Sequence, residues 1–273
     1  MRSGWIFTLV KINSMSHLIL VHHHIFKNAG TSFNHALKQN FGANFLEFDL
    51  PKGEIVTQDI LDDFITKNPQ ALAISGHHIC LPTPQGENYQ TISSILLRKP
   101  LARIRSIYNF ERKQDAQTSG AIKAKELNFK EFVEWRLATS PFVFCNYQTL
   151  YCSRTDKTKP KYIPTEKDLE LAIRNLSQCT VVGTVERYQE SLEIANERLK
   201  EFFPDINLAY VHKNVTSKSV PSDQEIREGL VEDLGEAIVA KLEEMNQLDE
   251  QLYEVADSIV ANSYLANQVI QSK

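Results

Sequence analysis

An α/β chain with a central parallel sheet flanked by helices is the fold class this sequence predicts, and three observations predict it. Short β-branched apolar runs recur along the chain, helical patterns lie between them, and the first run passes through a turn containing Gly30 straight into a helix. Strands of a parallel sheet are covered on both faces, so they read as continuous apolar runs and not as alternations.

Leu18-Ile-Leu-Val21 is the first strand, leading through His22-His23-His24 to the turn at Lys27-Asn-Ala-Gly30. Thr31 or Ser32 is expected to cap the next helix, Phe33 to Phe41, in which Phe33, Ala36, Leu37 and Phe41 recur at helical spacing. Phe45–Phe48, Ala71–Ser75 and Ile92–Leu97 read as further strands, with a helix at Ile60–Lys67. Pro100 suits the first turn of a helix that runs from Leu101 to Lys113. The polar stretch Gln114–Lys125 reads as a loop ahead of a short helix at Phe129–Leu137. Cys152–Pro164 reads as another loop, and Thr165 with Asp168 three positions later is a helix-capping signature. Val181-Val-Gly183 is a last buried strand, followed by a helix at Ser191–Phe203. In the C-terminal region one apolar seam, Leu234, Ile238, Leu242, Met245, Leu248, Leu252, Val255 and Ile259, is expected to pack on the sheet and not to form a coiled-coil arm.

Composition narrows the function classes. With 42% hydrophobic, 9% aromatic and 23% charged residues, the 273-residue chain is too apolar for disorder and too interrupted for a membrane protein. No stretch approaches the ~20 apolar residues of a membrane span, and Trp5–Val10 falls short of the ~7–15 of a secretory signal. Thirty basic against 34 acidic residues, a net charge of −4, point away from nucleic acid and make any anion site a local one. Cys80, Cys145, Cys152 and Cys179 show no paired spacing and read as free thiols in a reducing compartment. Residues 1–14 are expected to be an extension ahead of Met15, with 15–273 forming a single domain; a homodimer is left open.

Three segments carry chemistry. The first is His24-Ile-Phe-Lys27-Asn28-Ala29-Gly30-Thr31-Ser32. Small residues between a buried strand and a helix expose backbone N–H groups at the positive end of the helix dipole, which suits phosphate or sulfate, and Lys27 adds a full charge. A plain helix cap beside a solvated lysine is the alternative. The order is not that of a Walker A loop, since the lysine precedes the glycine. The second is Arg98-Lys-Pro-Leu-Ala-Arg103-Ile-Arg-Ser106, where Arg98 ends a strand and Ser106 and Arg103 are read as sharing a helix face, so that Arg98 and Ser106 grip a second phosphate. A basic surface helix is the alternative. The third is Ser75-Gly-His77-His78, in which either imidazole could serve as a general base for a hydroxyl. A metal site built from His22 and His24 with His77 or His78 is the competing reading, though no acidic or cysteine ligand is paired with it by spacing.

Taken together, these segments resemble the sulfotransferases that use 3′-phosphoadenosine 5′-phosphosulfate, in particular the branch of heparan sulfate 2-O-sulfotransferase and the carbohydrate sulfotransferases. That family opens with a strand and His-Ile-Pro-Lys-Thr-Gly-Gly-Thr-Ser, matched by His24 to Ser32 with Phe26, Asn28 and Ala29 as departures. Its Arg-Asp-Pro motif and the Arg, Ser and Tyr that follow are met by Arg98, Pro100, Arg103, Ser106 and Tyr108, with Lys99 in place of the aspartate. Val182–Leu192 and Leu248–Tyr253 resemble its later segments, and His212–Ser217 resembles its cofactor-covering loop in composition. The resemblance implies a P-loop-containing nucleoside triphosphate hydrolase-like sulfotransferase fold. It also implies a sulfuryl donor held without metal by Lys27, Asn28, Ala29, Gly30, Thr31 and Ser32 at the 5′-phosphosulfate and by Arg98 and Ser106 at the 3′-phosphate, with Lys27 stabilising the leaving phosphate. His77 matches the base of the 2-O branch, and Ser75 stands where that branch has a second histidine. The implied acceptor is a hydroxyl of a saccharide or glycoconjugate, with Thr83–Thr91 and Gln114–Lys125 expected to line its cleft. Cytoplasmic residence is expected, because luminal relatives carry a membrane anchor. A nucleotide-dependent kinase and a non-catalytic glycan-binding protein on the same fold are the rival readings.

Overall fold

The computed structural model describes residues 17–51, 54–155, 162–208 and 221–271. The proposed extension 1–14 and the segment His212–Ser217 lie outside them. In chain order the elements begin with β1 (His17–His23), α1 (Gly30–Phe41), β2 (Phe45–Glu47), α2 (Gln58–Lys67), β3 (Ala73–Gly76) and β4 (Tyr89–Leu97). There follow α3 (Pro100–Lys113), α4 (Ser119–Glu126), α5 (Phe129–Thr139), α6 (Tyr147–Cys152), α7 (Glu166–Gln178), β5 (Val181–Thr184) and α8 (Tyr188–Lys200). The last helices are α9 (Asp223–Leu234), α10 (Glu236–Glu244) and α11 (Gln247–Gln271).

The sheet has five strands in the order β2-β3-β1-β4-β5, every pair parallel. Leu20 in the central strand stands beside Ala73 on one side and Ile92 on the other. Period-two alternation splits the apolar runs between two faces. On one, Leu20, Ile92 and Leu96 meet Phe33 and Leu37 of α1 and Leu192 of α8. On the other, Ile19, Val21 and Ile74 meet Leu61 and Ile65 of α2, and Ile95, Leu97 and Val182 meet α6, α7 and α11. A further cluster lies mainly among helices, with Ile104 and Ile107 of α3 against Phe132, Leu230, Leu234 and Leu242 of α5, α9 and α10, and Phe144 and Cys145 joining from a turn.

Several sequence expectations are corrected. The stretch Gln114–Lys125 holds all but the last residue of α4, capped by Thr118; its buried face of Gly120, Ala121 and Ala124 is too small-sided to show as an apolar stripe. Neither Thr31 nor Ser32 caps α1: the cap position is Ala29 in the left-handed conformation (φ 60°), with no side-chain cap. The apolar seam is split over three helices, broken at Gly235 (φ 86°) and again at Met245–Asn246. Only its last part, Leu248 and Leu252 with the partly buried Val255 and Ile259 of α11, lies against the cluster that covers the sheet. Where the pattern rested on backbone chemistry it holds, as with Pro100 at the start of α3 and the Thr165–Asp168 capping box on α7.

From β1 the chain leaves through α1 towards β2 on one side, and from β4 through α3 to α7 towards β5 on the other. The carboxyl ends of β1 and β4 are therefore where the connections diverge, the place at which open parallel sheets form a ligand crevice.

Candidate functional site

Of the two anion segments of the sequence, Lys27 of the first and Arg98 and Ser106 of the second line that crevice, whereas Asn28 to Ser32 do not. The chain leaves β1 and turns through Lys27 (φ 68°) and Ala29 (φ 60°), two non-glycine residues in left-handed geometry. Each such residue costs about 1–2 kcal/mol, so the turn is held by its surroundings. A left-handed residue followed by a helical one aims successive N–H groups into one concavity. Among the described residues the N–H groups of Ala29, Gly30 and Thr31 have no backbone acceptor, whereas Asn28 N–H bonds Ile25 O at 3.1 Å and Ser32 N–H bonds Ala29 O at 3.0 Å. The cradle thus narrows to residues 29–31.

Asn28 is a tether. Its buried side-chain amide donates to Leu96 O at 2.9 Å and to Gln148 Oε1 at 2.6 Å. Gln148 in turn accepts from Arg98 N–H at 2.9 Å and donates to Arg98 O at 2.7 Å, so one buried glutamine ties both segments together. Arg98 completes the brace by donating to Lys27 O at 3.2 Å, and its Nε is buried without a partner. The Lys27 ammonium stands 4.3 Å from the centre of the Phe110 ring, and burial, followed by the charges of Arg98 and Lys113, lowers its pKa from the ordinary lysine value. Arg103 does not share its exposed face with Ser106. It is buried, donating to Phe26 O at 3.0 Å and Val143 O at 2.8 Å with its guanidinium 4.1 Å from the Tyr147 ring centre, while Ser106 lines the crevice.

The crevice is a cleft of about 560 Å³ whose cations are Lys27, Arg98, Arg105 and Lys113, with Glu225 as the carboxylate on its wall. Arg105 is shared with α9, pairing with Asp233 and donating to Gly229 O at 2.8 Å.

A second cleft of about 340 Å³ lies across the same turn, lined by Phe26, Asp49, Leu50, His77, His78 and Tyr147. His77 thus lies in this second cleft and not in the cationic crevice, and beside it stands Asp49, which the sequence reading missed. Asp49 Oδ2 meets His77 Nδ1 at 2.9 Å, and Asp49 Oδ1 accepts the His77 main-chain N–H at 2.6 Å. Burial works to raise the Asp49 carboxyl, but the hydrogen bonds and charge of His77 outweigh it and hold the group below the usual carboxylate value. His78 differs from His77: its Nδ1 faces Arg154 at 2.8 Å, and burial with that cation pushes its pKa down to about 4. His24 stacks on His77 with ring centres 4.1 Å apart, and burial, then His77, lowers it to about 4 as well.

Thr83–Thr91 and Gln114–Lys125 contribute to neither cleft. Thr83 and Thr91 instead bond one another at 2.7 Å, and Ala121 and Ala124 of α4 are buried. Among the described residues no group of three or more His, Cys, Asp or Glu side chains is gathered for a metal ion. His22 packs on Phe33 with ring centres 4.5 Å apart and bonds Ser94 Oγ at 3.1 Å, away from a metal-binding arrangement with His24. All four cysteines are buried, and none is joined in a disulfide. Among the described residues no helix is long and apolar enough to cross a membrane.

No family model matches the chain. A protein of Archaeoglobus fulgidus, described as an uncharacterized protein, is 31% identical to it over 250 residues, covering 88% of this chain and 96% of the archaeal one. With that identity across nearly the whole of both chains, the protein belongs to the same family as this archaeal protein.

Proposed function

We propose that the protein is a sulfotransferase that uses 3′-phosphoadenosine 5′-phosphosulfate and acts on a hydroxyl of a saccharide or glycoconjugate. The observation that carries the reading is the pair of clefts on either side of the Phe26–Lys27 turn, one cationic and lined by Lys27, Arg98 and Ser106, the other holding an Asp49-paired imidazole. Two ligands that meet across one lysine suit a group transfer better than simple binding. The fold is read on the same ground as the P-loop-like sulfotransferase architecture, with the cradle following β1.

The residues present fit a bisphosphate donor. Open N–H groups at residues 29–31, the Lys27 ammonium and the unpartnered Arg98 Nε offer donors for anionic oxygens, and Ser106 adds a hydroxyl further along the cleft. When bound, the donor supplies a sulfuryl group whose bond to the bridging phosphate oxygen breaks as the acceptor oxygen bonds sulfur. Lys27 would neutralise the phosphate oxygen that takes up the electron pair, and its charge is worth more for being half-buried. His77 Nε2 takes the acceptor proton; assistance of this kind is worth about 10²–10⁴ in rate. His78 is less suited, because Arg154 occupies its Nδ1.

Transfer of labelled sulfate from the donor to a mixed pool of saccharides and glycolipids tests the reading. Incorporation by the wild type that is lost in Lys27→Ala and His77→Ala supports it. No incorporation despite donor binding would leave a binding protein on this fold, and incorporation of labelled phosphate from ATP would make it a kinase.

A further inference from the structure

The geometry points to Asp49 as the positioning residue for His77: its carboxylate holds the imidazole in the tautomer with hydrogen on Nδ1, which presents the Nε2 lone pair to the second cleft. The inference rests on the reading of His77 as the base and adds how that base is set.

Strand register brings the pair together. β2 and β3 are neighbours with Glu47 beside Ser75, and Phe48 N–H bonds Ser75 O at 2.8 Å, so two residues further on Asp49 arrives beside His77. One carboxylate then fixes the histidine twice, through the main-chain N–H and through the ring nitrogen. An ionised carboxylate only accepts, so the ring nitrogen facing it must carry the hydrogen. The stacked His24 ring fixes the plane of the imidazole from one side.

The other charged and titratable groups around His77 are otherwise engaged. His24 Nδ1 lies 3.4 Å from the Asn34 amide, whose oxygen accepts from Ser75 Oγ at 2.7 Å, so the amide presents its N–H to His24. His78 faces Arg154, and Glu47 accepts from Asn34 at 3.1 Å. Lys27 lies across the turn over Phe110. Among the described residues no other carboxylate lines this cleft, so the tautomer of His77 depends on Asp49. The buried Arg154 behind His78 gives that second imidazole the opposite assignment, with Nδ1 as acceptor. Two adjacent histidines are thereby set in opposite tautomers by partners of opposite charge.

Asp49→Asn is the decisive variant because it keeps the oxygen needed by the main-chain N–H and turns an amide N–H towards the ring. Imidazole ¹⁵N shifts of the histidine-labelled full chain at alkaline pH, assigned with His77→Gln, are expected to show His77 protonated on Nδ1 in the wild type and on Nε2 in Asp49→Asn. Asp49→Glu, which keeps the carboxylate, should retain the Nδ1–H form. Protonation on Nε2 in the wild type, or the same tautomer in both proteins, would overturn the proposal. In turnover, Asp49→Asn should lower kcat by about 10²–10⁴ with the donor KM unchanged; an unchanged kcat would overturn it too. Absence of bisphosphate binding to the wild type would defeat the sulfotransferase reading alone, and the tautomer measurement would still decide this one.

Discussion

Gly30 is held to glycine by contact and not by backbone angle, and the variant Gly30→Ala exposes the difference. A Cβ at this position would lie 2.0 Å from His24 Cδ2 and 2.3 Å from His24 Nε2. Carbon atoms rest at about 3.5–4.0 Å, so the overlap is about 1.5 Å. The ring cannot swing clear cheaply, since His24 is 8% exposed and is stacked on His77 at 4.1 Å. Alanine in place of glycine favours an interior helix by at most about 1 kcal/mol, and by less in the first turn, whereas overpacking costs about 1–3 kcal/mol. The clash wins, and urea unfolding is expected to show a loss of about 1–2 kcal/mol. Removing the ring removes the clash: in Gly30→Ala with His24→Ala the two changes should fall short of additivity by about 1–2 kcal/mol. A Gly30→Ala protein as stable as the wild type, or strictly additive changes, would refute the contact argument.

Other substitutions test the neighbouring physics. Ala29→Gly should stabilise by about 0.5–1 kcal/mol, because relief of the left-handed strain exceeds the added flexibility of glycine, and a lowered thermal midpoint would contradict it. Burial lowers His23 to about 4 in the fold against an ordinary value of about 6.5. Such a group leaves stability intact above about 6.5 and removes it as the pH falls towards 4, by about 3 kcal/mol in all, since the unfolded chain protonates first. Denaturant midpoints measured across that window should fall and then level off; midpoints that rise on acidification would reverse the sign. Arg136→Met strands Glu111, its partner at 3.1 Å in a nearly buried pair, and should cost about 3–5 kcal/mol, most of it recovered by adding Glu111→Leu. Equal losses in the single and double variants would show the pair to be inert.

What the sequence made legible was local and chemical. Leu18–Val21 announced β1 and Pro100 the start of α3, whereas α1 begins at Gly30, three residues before the start that the apolar spacing suggested. Elements without contrast were missed. α6 is buried on every side, from Tyr147 to Cys152, and so has no period to read. α4 buries only glycine and alanine. Gly235 was a visible break, yet Leu234 and Ile238 on either side of it continued the apolar spacing and hid it. Site residues contributed by pairing were missed for a different reason. Asp49 is a lone carboxylate after a three-residue strand, and only the β2–β3 register sets it against His77. Gln148 and Asn28 meet across 120 positions of sequence, a distance no motif spans.

Calorimetric titration of the wild type with 3′-phosphoadenosine 5′-phosphate, beside ATP with magnesium, bears most directly on the central claim. The cradle at residues 29–31 and the cations Lys27 and Arg98 predict binding of the bisphosphate without magnesium, weakened by Lys27→Ala and by Arg98→Ala. Binding of ATP alone, or bisphosphate binding indifferent to both substitutions, would contradict it.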